Sequence, residues 1–225
     1  MDKISVIIPC YNEEESIERV IKSIPNEVAE IIVVDNNSKD KSAEIARNAG
    51  ARVISEPIQG YGAAHKSGFK NAQGDIIATL DADCQYPAEK ILEIVKYLND
   101  KNLDFISCNR FPLQNSKSIN FTRIIGNWFL TTSANLLFGL KLKDSQSGMW
   151  IFKKKIFDDI SLESDDMPLS QELKIRVATN PKFKFTEYYI PYYPRSGESK
   201  LFPIKHGLMN FKALFKLKKQ IRPHT

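Results

Sequence analysis

ISVIIPCYNEEESIERVIKSI, residues 4–24, is the stretch from which the fold can be read. Ile4 to Ile8 is a short run of mostly β-branched apolar residues, the composition of a strand buried on both faces, and Pro9 is expected to end it. Asn12 to Glu15 reads as a helix cap with acids in the first turn, and Ile17, Val20, Ile21 and Ile24 then recur at helical spacing. A buried strand running into an amphipathic helix is the start of a βα unit.

Outward from this unit the same rhythm continues. Ile31–Val34, Val53–Ile54, Ile76–Leu80 and Asp104–Cys108 read as strands. Helices are expected over Lys41–Ala49, stopped by Gly50, from Gly60-Tyr61-Gly62, and from Pro87 at a first helical position. Apolar strands alternating with helices predict an α/β fold: a mostly parallel central sheet with helices on both faces and a Rossmann-like nucleotide-binding half. The second half is less regular. It offers a helix over Arg123–Leu140, a strand at Met149–Phe152, a helix over Gln171–Ala178, a strand at Phe183–Ile190 and a helix from Pro203. The expected organisation is one domain over residues 1–203, followed by a basic amphipathic helix and tail over 204–225.

Composition narrows the function classes. The 225 residues are 42% hydrophobic and carry a net charge of +5, which excludes a disordered chain. The charge is localised: Lys200 to Arg222 holds seven Lys or Arg and no Asp or Glu. Ile204, Leu208, Phe211 and Phe215 share one helical face beside a stripe of Lys205, Lys212, Lys216 and Lys219, a pattern suited to an anionic lipid surface. A helix packed on the domain with a solvated lysine face is the alternative. No nucleic-acid motif accompanies the basic tail, so no nucleic-acid partner is expected. Cys10, Cys84 and Cys108 form no CxxC pair and there are three histidines, which argues against a disulfide framework or a zinc cluster. The chain turns acidic soon after its first residues, unlike a leader peptide, and the longest uncharged run, Ile124–Leu140, is short of a membrane span. The expected location is cytoplasmic, peripheral on the cytoplasmic face of a membrane.

In open α/β sheets ligands bind beyond the carboxyl ends of the strands. Four polar segments sit there: Pro9–Glu13, Asp35–Asp40, Asp81–Gln85 and Asn109–Arg110. Asp81 and Asp83, two apart at the end of an apolar strand, point to one side, and their mutual repulsion calls for a cation. A hard divalent ion takes oxygen ligands, to which Gln85 can add a carbonyl, and would stabilise a departing diphosphate. An exposed acidic turn is the alternative. The GYGAAHKSG segment, residues 60–68, lacks the glycine before lysine of a phosphate loop; its glycines allow close approach of a ligand or strand, and Lys66 either nears phosphate or is solvated. Arg195 and Lys200 supply two cations on one loop.

VIIPCYNEEESI, VVDNNSKD, GYGAAHKSGFKNAQGDIIATLDADCQYP, DSQSGMWIF, LSQEL and PRSGESKL occur in the order found in family 2 glycosyltransferases. Together they resemble the dolichyl-phosphate mannosyltransferase-like (polyprenyl-phosphate glycosyltransferase) branch, from Ser5 to about Leu201. The resemblance implies a GT-A fold, Mg²⁺ or Mn²⁺, and inverting transfer of a sugar from a nucleotide-diphosphate donor of the GDP-mannose or UDP-glucose type to a polyprenyl (dolichyl-type) phosphate. It assigns donor binding to Pro9, Tyr11, Glu13, Asp35, Asp81, Ala82, Asp83 and Arg110, with Lys66 from the loop reading. It gives metal binding to Asp81, Asp83 and Gln85, and acceptor-phosphate binding to Arg123, Arg195 and Lys200. Asp83, Arg110, Arg195 and Lys200 form the catalytic set. An acceptor hydroxyl on a lipid-linked or surface glycan would need a base, for which Asp144 or Glu172 is the candidate. A non-catalytic nucleotide- or membrane-binding module is the reading from another class. Partners are then the donor, the lipid phosphate, an anionic membrane surface and a membrane-embedded protein. Two departures stand out: Asp35-Asn36 replaces the usual paired acids, and the cation loop RxGxSK is one residue short.

Overall fold

A computed structural model describes residues 2–116, 118–197, 199–200 and 202–221; Glu198 and Leu201 of the cation loop and the tail from Arg222 lie outside it. In chain order the elements are β1 (Ile4–Cys10), α1 (Ile17–Ser23), β2 (Glu30–Asp35), α2 (Ser42–Asn48), β3 (Arg52–Ser55), α3 (Tyr61–Asn71), β4 (Ile76–Thr79), α4 (Ile91–Asp100), β5 (Phe105–Asn109), α5 (Phe121–Phe138), β6 (Trp150–Lys153), α6 (Leu169–Ala178), β7 (Phe185–Tyr189) and α7 (Pro203–Gln220). Short 3₁₀ turns precede α4 and follow β6.

The strands form one seven-stranded sheet in the order β3-β2-β1-β4-β6-β5-β7, with β6 antiparallel to both neighbours and every other pairing parallel. Alternation along β1 sends Val6, Ile8 and Cys10 to one core and Ile7 to the other. The first core is closed by Ile17, Val20 and Ile21 of α1 and by Ile91, Ile94 and Leu98 of α4. The second is closed by Ala64 and Phe69 of α3 and by Leu169, Leu173 and Val177 of α6. The mostly parallel α/β sheet with helices on both faces is therefore the observed architecture. Among the described residues, no helix is long and apolar enough to cross a membrane.

Two local expectations are corrected. Pro9 does not end β1, which continues to Cys10. Ile7 accepts from Leu80 on the β4 side and Cys10 from Asn36 on the β2 side, so Pro9 faces β4 beyond the last β1–β4 partner, where its missing N–H costs no ladder bond. Asn12–Glu15 does not cap a helix. Asn12 is left-handed (φ 53°), α1 begins at Ile17, and the segment is laced to the next loop: Asn12 N–H donates to Ser38 Oγ, Glu13 N–H to Ser42 Oγ and Lys41 N–H to Glu14 Oε2. In α7, His206, Asn210, Leu214 and Leu217 are buried, packed toward α5 and α6, whereas Ile204, Leu208 and Phe215 of the apolar face read from the sequence point outward.

Candidate active site

Register brings the polar segments to one edge. Cys10 pairs with Asp35, so β1 and β2 end together, and β4, whose Thr79 pairs with Ile7, ends three residues earlier and sends the Asp81–Gln85 turn to the same edge. Asn109 pairs with Tyr189, so the Arg110 and Ile190–Arg195 segments leave at the same edge. Because β6 runs antiparallel, its start at Trp150 is level with Ser107, and the preceding Asp144–Met149 loop arrives there too. The order change from β2-β1 to β4 makes this edge a topological switch point, where such sheets bind ligands.

The Asp81–Gln85 turn is the centre. Cys84 takes φ 63°, which folds the chain back, and Gln85 N–H donates to Asp83 Oδ1 (3.1 Å). Asp83 is buried, and its Oδ2 accepts from Arg195 Nη1 at 2.7 Å. The other arm of the same guanidinium pairs with Glu13 Oε1. Asp81 Oδ1 faces the Tyr61 hydroxyl at 3.4 Å. Burial, reinforced by Asp83, pushes the Asp81 carboxyl up to about 7. Burial raises Asp83 as well, against the pull of Arg195, and it raises Glu13. Ala82 is buried, and its carbonyl accepts from Ser16 Oγ (2.6 Å), tying the turn to the start of α1.

This donor set fits a divalent cation: two hard carboxylates whose charge is costly to hold without one. Among the described residues no three His, Cys, Asp or Glu side chains converge on a metal position, so the remaining ligands would be donor phosphates, as is usual for Mg²⁺. Gln85 is largely committed elsewhere. Its amide nitrogen donates to the carbonyls of Ser118 (3.1 Å) and Tyr193 (3.0 Å), which leaves only its oxygen for a metal and makes it a clamp between two loops.

A second buried cluster lies beside the turn. Arg110 forks onto Asp144, Nε to Oδ2 at 2.6 Å and Nη2 to Oδ1 at 2.9 Å, and stacks over Tyr192 at 5.0 Å. Asn127 of α5 donates to Asp144 Oδ1 (3.0 Å). Beneath, fully buried Lys174 of α6 donates to the carbonyls of Asp144 (3.2 Å) and Ser145 (2.9 Å). Glu187 of β7 accepts from the N–H groups of Lys143 and Asp144. Burial pulls Asp144 upward, but Arg110 outweighs it and holds the carboxyl down at about 2. Burial lowers Lys174 to about 7.

The other expected residues fall as follows. Tyr11 and Pro9 line the end of β1, half-buried. Asp35 ends β2, where Oδ1 accepts from Ser38 N–H at 3.3 Å. Asn36, the departure from paired acids, is a brace: its amide donates to the carbonyls of Glu56 and Ile58 and accepts from Gly60 N–H. Arg123 donates to Ser199 Oγ (2.7 Å), placing the start of α5 beside the cation loop that carries Lys200. Lys66 pairs with Asp165 Oδ1 at 2.5 Å. The glycines beside it serve the chain, since a Cβ on Gly60 or Gly62 would meet the backbone of residues 164–165 at 2.1 and 2.4 Å. Glu172 accepts from the N–H groups of Glu163 and Ser164 and from Arg176; although burial opposes it, these bonds lower its pKa.

Sequence reasoning missed Tyr61, Tyr86, Asn127, Tyr192, Lys174 and Glu187. Tyr86 could have been noticed as the residue following the DADCQ turn; its hydroxyl accepts from Gly148 N–H at 2.6 Å. Nothing in LSQELKIRVA distinguishes Lys174 from a solvated helix lysine.

Comparison with known proteins agrees with this architecture. A dolichyl-phosphate hexose transferase of Haloferax volcanii is 32% identical over 219 residues, spanning 96% of this chain and 94% of that protein. The glycosyltransferase AglJ of the same organism is 27% identical over 226 residues, 99% of this chain and 74% of its own. Among solved structures, glucosyl-3-phosphoglycerate synthase of Mycobacterium tuberculosis, in complex with Mn²⁺, UDP-glucose and phosphoglyceric acid, superposes with a TM-score of 0.73 at 18% identity, covering 99% of this chain and 82% of that one. Its complex with Mg²⁺ and UDP gives 0.76 at 18% identity, covering 99% and 81%. The fold is thus of the GT-A type, and the expected enzyme class holds. With the "Glycosyl transferase family 2" model matching residues 5–161, in which the Asp81–Gln85 turn and the Arg110–Asp144 pair both fall, the chain belongs to glycosyl transferase family 2.

Proposed function

We propose that this glycosyltransferase moves a hexose, with inversion, from a nucleoside-diphosphate donor held by Mg²⁺ or Mn²⁺ at Asp81 and Asp83 to a polyprenyl phosphate at a membrane surface. The observation that carries the acceptor is the saturation of both base candidates together with the presence of cations. Neither base candidate has the raised pKa that proton abstraction at neutral pH needs: Asp144 is saturated by Arg110 and held down, and Glu172 is saturated by two backbone amides and Arg176. A phosphate acceptor is already an anion and needs positioning and charge stabilisation instead. Among the described residues, Arg123 and Arg195 each keep a buried Nε–H without an acceptor, a requirement that phosphate oxygens would meet. The similarity to a dolichyl-phosphate hexose transferase points the same way.

The residues' roles follow. Pro9, Tyr11, Glu13 and Asp35 flank the nucleoside, and Asp81 and Asp83 hold the cation, which when bound supplies charge to the leaving diphosphate. Arg110, fixed by Asp144, faces the donor. Arg123, Arg195 and Lys200 gather the acceptor phosphate.

Membrane contact is supported by a surface shared by α5 and α7. Phe129 and Phe211 pack together at 5.2 Å, and around them Trp128 (68% exposed), Leu136 (81%), Ile204 (89%) and Leu208 (53%) face outward. Lys205, Lys212, Lys216 and Lys219 lie on the same helix as Ile204 and Leu208. Exposed apolar side chains with adjacent lysines fit an anionic bilayer. Arg123 stands at the start of α5, so this face begins at the acceptor cations.

The test is transfer of label from a panel of nucleotide sugars into solvent-extractable lipid, with polyprenyl phosphate and Mg²⁺ or Mn²⁺. Label that is lost with EDTA and in Asp83→Ala supports the proposal. Absence of labelled lipid with every donor, under conditions where metal-dependent nucleotide binding is measurable, overturns the acceptor.

A further inference from the structure

Arg195, read from sequence as an acceptor cation, is paired here with two acids, Asp83 and Glu13, that the sequence places on the donor side. One guanidinium arm meets Asp83 Oδ2 at 2.7 Å and the other meets Glu13. The backbone around it is tethered to the same turn: Ser196 N–H donates to the Asp83 carbonyl and Tyr193 N–H to the Gln85 carbonyl, each at 3.0 Å, and Gln85 Nε2 returns a bond to the Tyr193 carbonyl. The loop is therefore anchored to the turn through its backbone, while the guanidinium is held only by ion pairs that a side-chain rotation can break. Its Nε–H is buried and finds no acceptor among the described residues, which marks the seat as incompletely bonded.

Asp83 is also one of the two acids that fit the donor's cation. A guanidinium and a divalent cation on one carboxylate oxygen would repel each other at contact distance in a poorly solvated site. We propose that Arg195 and the donor's divalent cation are alternative occupants of Asp83, so that Arg195 is released toward the acceptor phosphate only when the donor is seated. The inference rests on the metal-dependent transferase reading above. It makes Arg195 a device that orders the substrates: before the donor arrives it neutralises Asp83 and Glu13, and afterwards, displaced from them, it is free to fork onto phosphate beside Arg123, whose partner Ser199 lies on the same loop. An acceptor that arrives first then meets a site lacking one of its cations.

The competition is measurable without turnover. Mn²⁺ binding to the full chain is followed by electron paramagnetic resonance, in the absence of nucleotide, for the native protein, Arg195→Ala and Lys200→Ala. Removing a competitor raises apparent affinity by the inverse of the fraction of protein already open, so Arg195→Ala is expected to bind Mn²⁺ about tenfold tighter, and Lys200→Ala, which removes a cation acting on Glu13 but leaves Arg195 on Asp83, is expected to gain much less. Unchanged affinity in Arg195→Ala overturns the competition while leaving the transferase reading intact. Equal gains in both variants reduce the effect to general repulsion and overturn it too. Failure of every variant to bind Mn²⁺, even with UDP or GDP present, sinks both readings. In the native protein, farnesyl phosphate is expected to bind at least about tenfold tighter with Mn²⁺ and nucleoside diphosphate than alone, by the same arithmetic; equal affinity contradicts the ordering.

Discussion

Replacing Asp144 with Ala should be among the most damaging substitutions in the chain. The carboxylate accepts two bonds from the Arg110 side chain, at 2.6 and 2.9 Å, one from the Arg110 N–H, one from Asn127 at 3.0 Å and one from Gln146 N–H at 3.2 Å. It is fully buried, and Arg110 is 8% exposed. Deleting it strands a buried guanidinium, and breaking such a pair from one side costs about 3–5 kcal/mol. Lys174, packed beneath, loses its nearest opposite charge and is pushed further toward the neutral amine, which limits the loss. Against a total stability of roughly 5–15 kcal/mol the expected cost is a large share. The surface pair Lys22–Glu18, at the similar distance of 2.6 Å but more than half exposed on both sides, sets the contrast: Glu18→Ala should cost under about 1 kcal/mol. Urea unfolding of the two variants beside the native protein reads both numbers. Asp144→Asn, which keeps an acceptor for Asn127, provides a milder variant should the Ala form not fold. A loss below about 1 kcal/mol in Asp144→Ala, or no difference between Asp144→Asn and Glu18→Ala, would refute the argument that burial is what makes this pair matter.

Three further outcomes are expected. Lys174 titrates near 7 in the folded chain and at 10.5 when unfolded, so between those values the unfolded state holds the extra proton and stability rises with pH. The contribution is complete above 10.5 and is lost as pH falls through 7; Lys174→Met should remove that rise, and a parallel pH profile for the two proteins would contradict it. Glu172→Gln should leave transfer within a few-fold of native, because the carboxylate braces Glu163 and Ser164 rather than taking a proton, and near-complete loss of turnover in a stably folded variant would restore the hydroxyl-acceptor reading. Trp128→Ser combined with Leu208→Ser should weaken binding to anionic vesicles by an order of magnitude or more, each apolar side chain withdrawn from lipid being worth about 1.5–3 kcal/mol, while Mn²⁺-dependent nucleotide binding stays as it was; unchanged vesicle sedimentation would remove the α5–α7 face from the account.

Much of the fold was legible because its signals are local. The apolar runs at Ile4, Ile31, Ile76 and Asp104 became β1, β2, β4 and β5 with ends shifted by a residue or two. What could not be read were features decided by neighbours far along the chain. Pro9 reads as a terminator, yet it sits where β4 has already ended, and only the pairing register reveals that. Asn12–Glu15 has the composition of a helix cap, but the side chains of Asn12 and Glu14 accept from the N–H groups of Lys39 and Lys41, and that of Glu13 pairs with Arg195. The periodicity of α7 identifies an apolar face correctly as a face, but not which side the domain takes. The packed side uses His206 and Asn210, and Asn210 is held there by Gln146 and Gln171. In the site, the acids of the Asp81–Gln85 turn were visible because two carboxylates on one side of a strand end repel and call for a cation, and because the surrounding segments resemble a known family. The frame of buried Lys174 and Tyr192 and half-buried Glu187 was not, since single residues of those types are ordinary anywhere on a helix or strand.

The central claim is that the acceptor is an anion that needs no base. Its most direct test pairs one donor with two acceptors of equal chain length, a polyprenyl phosphate and the corresponding polyprenol, each with Mn²⁺ in detergent or vesicles. The account predicts metal-dependent transfer to the phosphate and none above background to the alcohol. Transfer to the alcohol at a comparable rate, or to a sugar hydroxyl with the phosphate left unlabelled, would contradict it.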